Sequence, residues 1–377
     1  MNILELCLSP GLGGLELYVF RSSLALSTQH NVISIITADG KLAEHYRQQP
    51  QLKIQHLNYR HSYLPLINAR NLAKIIDQNK IDVIHMHWGN DLALAAIAKK
   101  LSQQKPALVY TRQMQITRSK GDIYHQFLYS QMNRMLTITN ALEKDARHFI
   151  KAFADRITTL HYGVAAPDHQ LSSEEITQKR RQFSFEQNDF VVGLFGRLED
   201  GKGQHLLLKA IAEAKRHGIT IKALIVGHEM TPGYKKVLTT LANELNIGEQ
   251  IQFSYFVSEP QKLMQICDCV ALTSYEETFG LVLPEAMRAG IAVIGSNAGG
   301  VPEIIDHETT GLLFEPRNAH SLYLQLYRFH TDQQFKSDVA LAGKNKADTI
   351  FNQTEHFIKL EELLLSISLK TGSNNMS

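Results

Sequence analysis

The sequence predicts an α/β protein of two domains, each built on an open parallel sheet with helices on both faces. Three observations carry this. Short apolar runs alternate with amphipathic stretches along the chain, and the alternation restarts after a polar interruption near residue 170. At 377 residues the chain exceeds one ordinary core but suffices for two domains of about 150–200 residues.

In the first half the strand candidates are Ile3–Leu8, Val32–Thr37, Ile54–Leu57, Val83–His87, Ala107–Thr111, Met135–Thr139 and Ile157–Tyr162. The second half offers Phe190–Phe195, Ile221–Val226, Ile251–Tyr255, Cys269–Thr273, Ala292–Ser296 and Gly311–Phe314. Runs this short, separated by helix-period segments, fit strands buried on both faces. The stretch from Ala166 to Asn188 is polar, with Pro167 and a charged helical piece at Glu174–Arg181, and reads as a linker. The expected organisation is therefore a first domain over 1–165, a linker over 166–188 and a second domain over 189–350. A C-terminal segment over 351–377 holds a last helix near Glu355–Leu369 and a polar tail, Thr371–Ser377, expected to be disordered.

Composition narrows the class. The three cysteines, Cys7, Cys267 and Cys269, form neither a disulfide framework nor a zinc-binding spacing, which fits a reducing cytoplasm. The opening MNILELCLSPG lacks the basic start of a signal peptide and reads as a strand. Apolar stretches such as Leu92–Ala98 are too short to span a bilayer. The net charge of +2 is uneven: residues 1–165 hold 19 Lys/Arg against 11 Asp/Glu, and the remainder 20 against 26. A basic first half suits an anionic partner, such as a phospholipid surface or a phosphorylated acceptor. Its basic residues are dispersed and the total is nearly neutral, so nucleic acid is not expected as a partner.

The chemistry-bearing motifs all follow predicted strands, where open parallel sheets bind ligands. After the first strand comes Ser9-Pro10-Gly11-Leu12-Gly13-Gly14-Leu15-Glu16, a glycine-rich turn into a helix whose N-terminus favours an anion. As a dinucleotide fingerprint it fails at its third glycine, where Glu16 stands. After Phe190–Phe195 come Gly196-Arg197-Leu198 and Gly201-Lys202-Gly203, with a helix from Gln204. Arg197 and Lys202 thus flank one strand–helix loop, an arrangement suited to a diphosphate. After Cys269–Thr273 comes Ser274-Tyr275-Glu276-Glu277-Thr278-Phe279-Gly280-Leu281-Val282-Leu283-Pro284-Glu285-Ala286-Met287. Pro284 suits a first helical turn and Gly290 its stop, so Phe279–Leu283 should present backbone N–H groups to a ligand. Glu285 suits two ribose hydroxyls, and Glu277 lies toward a sugar. A fourth glycine-rich turn, Asn297-Ala298-Gly299-Gly300, follows Ala292–Ser296.

These blocks resemble the retaining nucleotide-sugar glycosyltransferases of family 4 (glycosyl transferases group 1), over most of the chain from Gly13-Gly14 to Phe314. The resemblance implies a GT-B fold, two Rossmann-like domains facing across a cleft, and a C-terminal helix that packs back on the first domain. It implies a nucleoside-diphosphate sugar as donor, held by Gly13, Gly14, Arg197, Lys202, Phe279, Gly280, Leu281, Val282 and Glu285, with Glu277, Arg197 and Lys202 as the catalytic set. No metal or other cofactor is implied. The implied acceptor is a glycan or a lipid-linked molecule, in bacterial lipopolysaccharide or other surface-polysaccharide synthesis, worked on in the cytoplasm or at the inner-membrane surface.

Acceptor-side candidates come from the first half. His85 and His87 share one face of a strand, and His87, at its end, is the candidate nearest a cleft. Arg112 and Gln113 follow another strand, and Gln113 stands where many family members carry histidine; glutamine bonds a hydroxyl but moves no proton near pH 7. The segment Gln113–Arg134 interleaves Arg118, Lys120 and Arg134 with aromatic and apolar residues, a pattern for a membrane surface or a lipid-linked acceptor. The competing classes are a sugar-nucleotide epimerase of the same fold, a nicotinamide dehydrogenase and a non-catalytic nucleotide-sugar binder. Donor turnover without acceptor marks the first, and NAD binding the second.

Overall fold

The computed structural model of the chain describes residues 1–59, 64–255, 257 and 259–374, with side chains through Lys370. They form two compact units, one of Met1–His161 with the chain from Thr354 onward, the other of Tyr162–Gln353. Each is built on one open parallel sheet of the Rossmann-like kind.

The first unit holds seven strands: β1 (Asn2–Cys7), β2 (Asn31–Ile36), β3 (Lys53–His56), β4 (Val83–Met86), β5 (Ala107–Arg112), β6 (Arg134–Thr137) and β7 (Ile157–Thr159). Their order is β3-β2-β1-β4-β5-β6-β7, every pair parallel. Ile3 to Cys7 are all buried, because a strand covered on both faces has no solvent side. The covering helices show why they lie where they do. In Leu66–Gln78 the buried residues are Ala69, Leu72, Ala73 and Ile76, the i, i+3, i+4, i+7 stripe of a one-sided helix. Each such leucine or isoleucine contributes about 1.5–3 kcal/mol on full burial.

Most predicted strands stand within a residue or two. The expected Ile157–Tyr162 shrinks to β7, which pairs only with β6, and that ladder ends at Thr137 with Thr159. The last helix, Gln353–Asn374, runs through the first four residues of the tail read as disordered; 375–377 lie outside the described residues. From Thr354 this helix belongs to the first unit. His356 donates from Nδ1 to the His161 carbonyl (2.7 Å), leaving Nε2 to accept from the Tyr18 hydroxyl at 2.9 Å.

The second unit holds β8 (Phe190–Phe195), β9 (Ile221–Val226), β10 (Ile251–Ser254), β11 (Cys269–Leu272), β12 (Ala292–Ser296) and β13 (Leu312–Phe314), in the order β10-β9-β8-β11-β12-β13, all parallel. The stretch read as a linker is bonded into this unit. Its helix, Ser173–Gln182, opens with a reciprocal cap between Ser172 and Glu175. Arg180 donates to the carbonyls of Ile266 and Gln187 and to Asp268, each at 2.9 Å. Polar composition marks these residues as loop-like, but one buried guanidinium with several donors fixes them. Among the described residues no helix is long and apolar enough to cross a membrane.

Candidate active site

The strand order of the second sheet reverses between β8 and β11, and a parallel sheet opens its ligand crevice at such a switch point. The two cation- and carboxylate-bearing motifs follow these two adjacent strands, so Lys202 and Glu277, 75 residues apart in sequence, lie side by side.

Backbone contacts lock the loops together. The Tyr275 N–H donates to the Gly201 carbonyl (3.0 Å), and the Thr273 hydroxyl donates to the Lys202 carbonyl at 2.7 Å. Gly203 sits in the left-handed region (φ +67°), and a Cβ there would stand 2.2 Å from the Thr273 carbonyl oxygen. Gly299 does the same for the next loop: at φ +59° its missing Cβ would meet the Glu277 carbonyl oxygen at 2.1 Å, while the Gly300 N–H donates to that oxygen at 2.8 Å. The fourth glycine motif is thus the clamp that seats Glu277.

The side chains converge on Glu277. Lys202 Nζ lies 2.5 Å from its Oε1, and the Ser274 hydroxyl donates to the same oxygen at 2.7 Å. Lys202 and Glu277 are each about a fifth exposed, at 22% and 18%, so the pair is partly desolvated yet reachable. Arg197 is half exposed and pairs with Glu199 at 3.0 Å. Arg317 lies 4.1 Å over the Tyr275 ring, a further cation on the Tyr275 loop. Ser274 and Arg317 were not singled out in the sequence: neither has a distinctive spacing, and both matter only through what folds beside them.

The helix after this loop runs Val282–Arg288, with Leu281 as its N-cap. The loop is therefore shorter than Phe279–Leu283: the Leu283 N–H already donates to the Gly280 carbonyl at 3.0 Å. Glu285 lies in the first helical turn and is partly exposed. The Phe279 side chain is 3% exposed and packs edge-on against Tyr162 and Phe351, which leaves only its backbone to meet a ligand. Its bulk anchors the loop, while Gly280, Leu281 and Val282 stay partly exposed.

In the first unit, Gly13 caps the helix Gly14–Leu26 as expected from the glycine turn. That helix end already faces a carboxylate, since Glu16 is buried in the first turn and accepts from the Ser9 hydroxyl.

His87 is corrected outright: it is fully buried and lines no surface. Its Nε2 lies 2.5 Å from Glu5 Oε2, while His85 Nδ1 reaches Glu5 Oε1 at 3.1 Å and the Ser22 hydroxyl donates there at 2.7 Å. The ligating atoms of Glu5, His85 and His87 lie within 4.8 Å of one another, a set that could hold a metal ion and that spacing did not reveal, because Glu5 looks like one more residue of an apolar strand. Gln113 is also buried, 7% exposed, with its Nε2 unpartnered among the described residues. Arg112 is partly exposed and remains at a surface cavity.

Burial, with His85 beside it, pushes the His87 imidazole down to about 4, despite Glu5. His87 is therefore neutral in the fold, and the unfolded chain takes up a proton first. It contributes stability that is lost as pH falls from about 6.5 toward 4. Asp91, pushed up to about 7 by burial, titrates in the opposite sense. The comparison with His87→Asn removes that common contribution: urea unfolding should show the wild type losing about 3 kcal/mol relative to the variant between pH 7 and pH 4. A gap that does not change with pH would mean that burial leaves the His87 imidazole no harder to protonate than in the unfolded chain.

Two parallel α/β units with a cation–carboxylate cluster at a switch point suit a protein that binds an anionic ligand there, and the comparisons with known proteins give its class. The family described as glycosyl transferases group 1 matches residues 175–346, and glycosyl transferase 4-like matches residues 5–142. The N-acetyl-alpha-D-glucosaminyl L-malate synthase of Bacillus anthracis is 22% identical over 76% of this chain and 74% of its own. An uncharacterized glycosyltransferase of Methanocaldococcus jannaschii, MJ1607, is 25% identical over 92% of this chain and 94% of its own. The crystal structure of Anabaena Alr3699/HepE in complex with UDP superposes with a TM-score of 0.84 at 24% identity, covering 97% of this chain and all of that one. The chain belongs to the group 1, 4-like glycosyltransferases, and its activity is glycosyl transfer.

Proposed function

We propose that the protein moves a sugar, with retention of configuration, from a nucleoside-diphosphate sugar to a glycan or lipid-linked acceptor. The observation that carries this is the Lys202–Glu277 pair at the β8/β11 switch point, with Arg197 on the same loop as Lys202. In this reading Arg197 and Lys202 take the donor diphosphate, and Lys202 turns from Glu277 to the phosphate as the donor enters. Glu285 accepts from the ribose hydroxyls, the Gly280, Leu281 and Val282 amides face phosphate or sugar, and the freed Glu277 orients the sugar. Gly13 and Gly14 close on the donor. That HepE binds UDP in its crystal supports the donor class.

The step is a front-face exchange. The bond from the anomeric carbon to the phosphate oxygen breaks as the acceptor oxygen attacks from the same side, and a phosphate oxygen takes the acceptor proton. The charge left on the nucleoside diphosphate develops against Arg197 and Lys202, so no metal is part of the reading. We place the reaction in the cytoplasm, at the inner-membrane surface, in the making of a bacterial surface glycan such as lipopolysaccharide.

Thermal unfolding with UDP, GDP, ADP, CMP and NAD tests the donor site. One nucleoside diphosphate at a hundredfold excess over its Kd should raise Tm by roughly 5–10 °C, and Glu285→Ala should abolish most of the shift. A shift with NAD alone, or with none of the five, overturns the reading. With the donor known, proton NMR of the product reads the anomer, and inversion would overturn retention.

A further inference from the structure

The first unit carries a cavity of about 590 Å³, a volume typical of small-ligand sites. It lies at the carboxyl ends of β4 and β5, between the turn at Trp88 and the residues from Met114 to Tyr129. Its lining contains Arg112, Arg118, Lys120 and His125 and no acid. The nearby carboxylate, Asp122, does not line the cavity: it accepts from the His125 backbone N–H at 3.0 Å, lies 2.5 Å from His125 Nδ1, and its charge also acts on Lys120. Among the described residues none of Arg112, Arg118 and Lys120 has an ion-pair partner. They repel one another: after burial, Arg118 and Arg112 are what hold the Lys120 ammonium below its ordinary value.

Arg112 is also held in place. Its guanidinium donates to the Tyr110 hydroxyl (3.1 Å) and the Gln115 carbonyl (2.7 Å), while Nε is buried with no partner among the described residues. Three cations around one cavity, with only Asp122 acting against them and no acid in the lining, leave net positive charge for a ligand to neutralise. Trp88 and Tyr124 give that ligand apolar faces, as the rings of sugars require.

The geometry points to an acceptor that carries an anionic group, phosphate or carboxylate, seated on Arg112, Arg118 and Lys120 with its body against Trp88. This rests on the reading that the protein transfers a sugar from a nucleoside-diphosphate donor.

Trp88 is the single tryptophan of the chain and lines this cavity, so the fluorescence of one known residue follows the titration. The full chain is titrated with glucose 6-phosphate, glucose, succinate and inorganic phosphate. Glucose 6-phosphate or succinate should give a saturable change that glucose does not. The tighter of the two tells a phosphorylated from a carboxylate acceptor, and inorganic phosphate should bind more weakly than either. Arg118→Ala/Lys120→Ala, both on the loop before the helix, should raise that Kd about tenfold or more, as expected for losing charge-assisted bonds. Glucose acting as well as its phosphate, no response to any probe, or an unchanged Kd in the double variant overturns the inference. So does loss of binding to anionic vesicles in that variant without any titration of Trp88, which makes the patch a membrane contact. The nucleotide screen reads the second unit: a nucleotide shift with no anion binding fails this inference alone, and anion binding with no nucleotide shift fails the donor reading and with it the acceptor assignment.

Discussion

Lys202→Ala should lower kcat by about 10²–10³-fold, the usual cost of removing one preorganised charge from a developing anion. The argument rests on its place. Lys202 follows β8 at the switch point, its backbone carbonyl is held by Thr273, and its ammonium is preset 2.5 Å from Glu277. Stability should change little, since a partly exposed pair contributes about 1 kcal/mol or less. The informative variant is the double one. With Lys202 gone, Glu277 stays where Ser274 and Gly300 hold it and presents a bare carboxylate toward the incoming phosphate. Glu277→Gln should then restore part of the donor affinity lost in Lys202→Ala, although alone it lowers kcat. Strictly additive effects on donor Kd would show that the two residues do not serve one site.

Glu5→Ala should destabilise the protein by about 3–5 kcal/mol, the cost of removing the acceptor at the centre of a buried hydrogen-bond network. Burial alone raises the Glu5 pKa, but the facing imidazoles of His85 and His87 and their hydrogen bonds outweigh it and hold the carboxyl well below its usual range. Removing it strands the Ser22 hydroxyl, His85 Nδ1 and His87 Nε2 in a region none of them shares with water. His87 already has a buried Nδ1 without a partner among the described residues, so it has no alternative bond to fall back on. Urea unfolding of wild type and variant at pH 7 measures the difference; a loss under 1 kcal/mol would mean that water or rearrangement satisfies the network.

Much of this was legible in the chain. Phe190–Phe195, Ile221–Val226 and Ala292–Ser296 were readable to the residue, because a buried parallel strand must be apolar on both faces and no surface helix can be. The helix from Gln204 was legible too, because Gly203 supplies a left-handed turn that few other residues adopt. Residues 166–188 are as polar as a loop, yet Arg180 bonds them to Ile266 and Asp268, and Gln265 bonds the His169 and Leu171 backbone, ties that composition does not reveal.

The sequence by itself determined which residues carry charge at strand ends: Arg197, Lys202, Glu277 and Glu285 sit in motifs whose neighbours permit little else. Only the tertiary structure decided how they are paired. That β8 lies beside β11, that Gly299 closes on the Glu277 loop, and that Glu5 meets His85 and His87 all follow from strand order, a long-range property with no local signature. Alternation placed His85 and His87 on one face of β4 but could not say whether that face meets solvent or another strand's carboxylate. Burial against β1 decides it, and turns a candidate acceptor contact into part of the core.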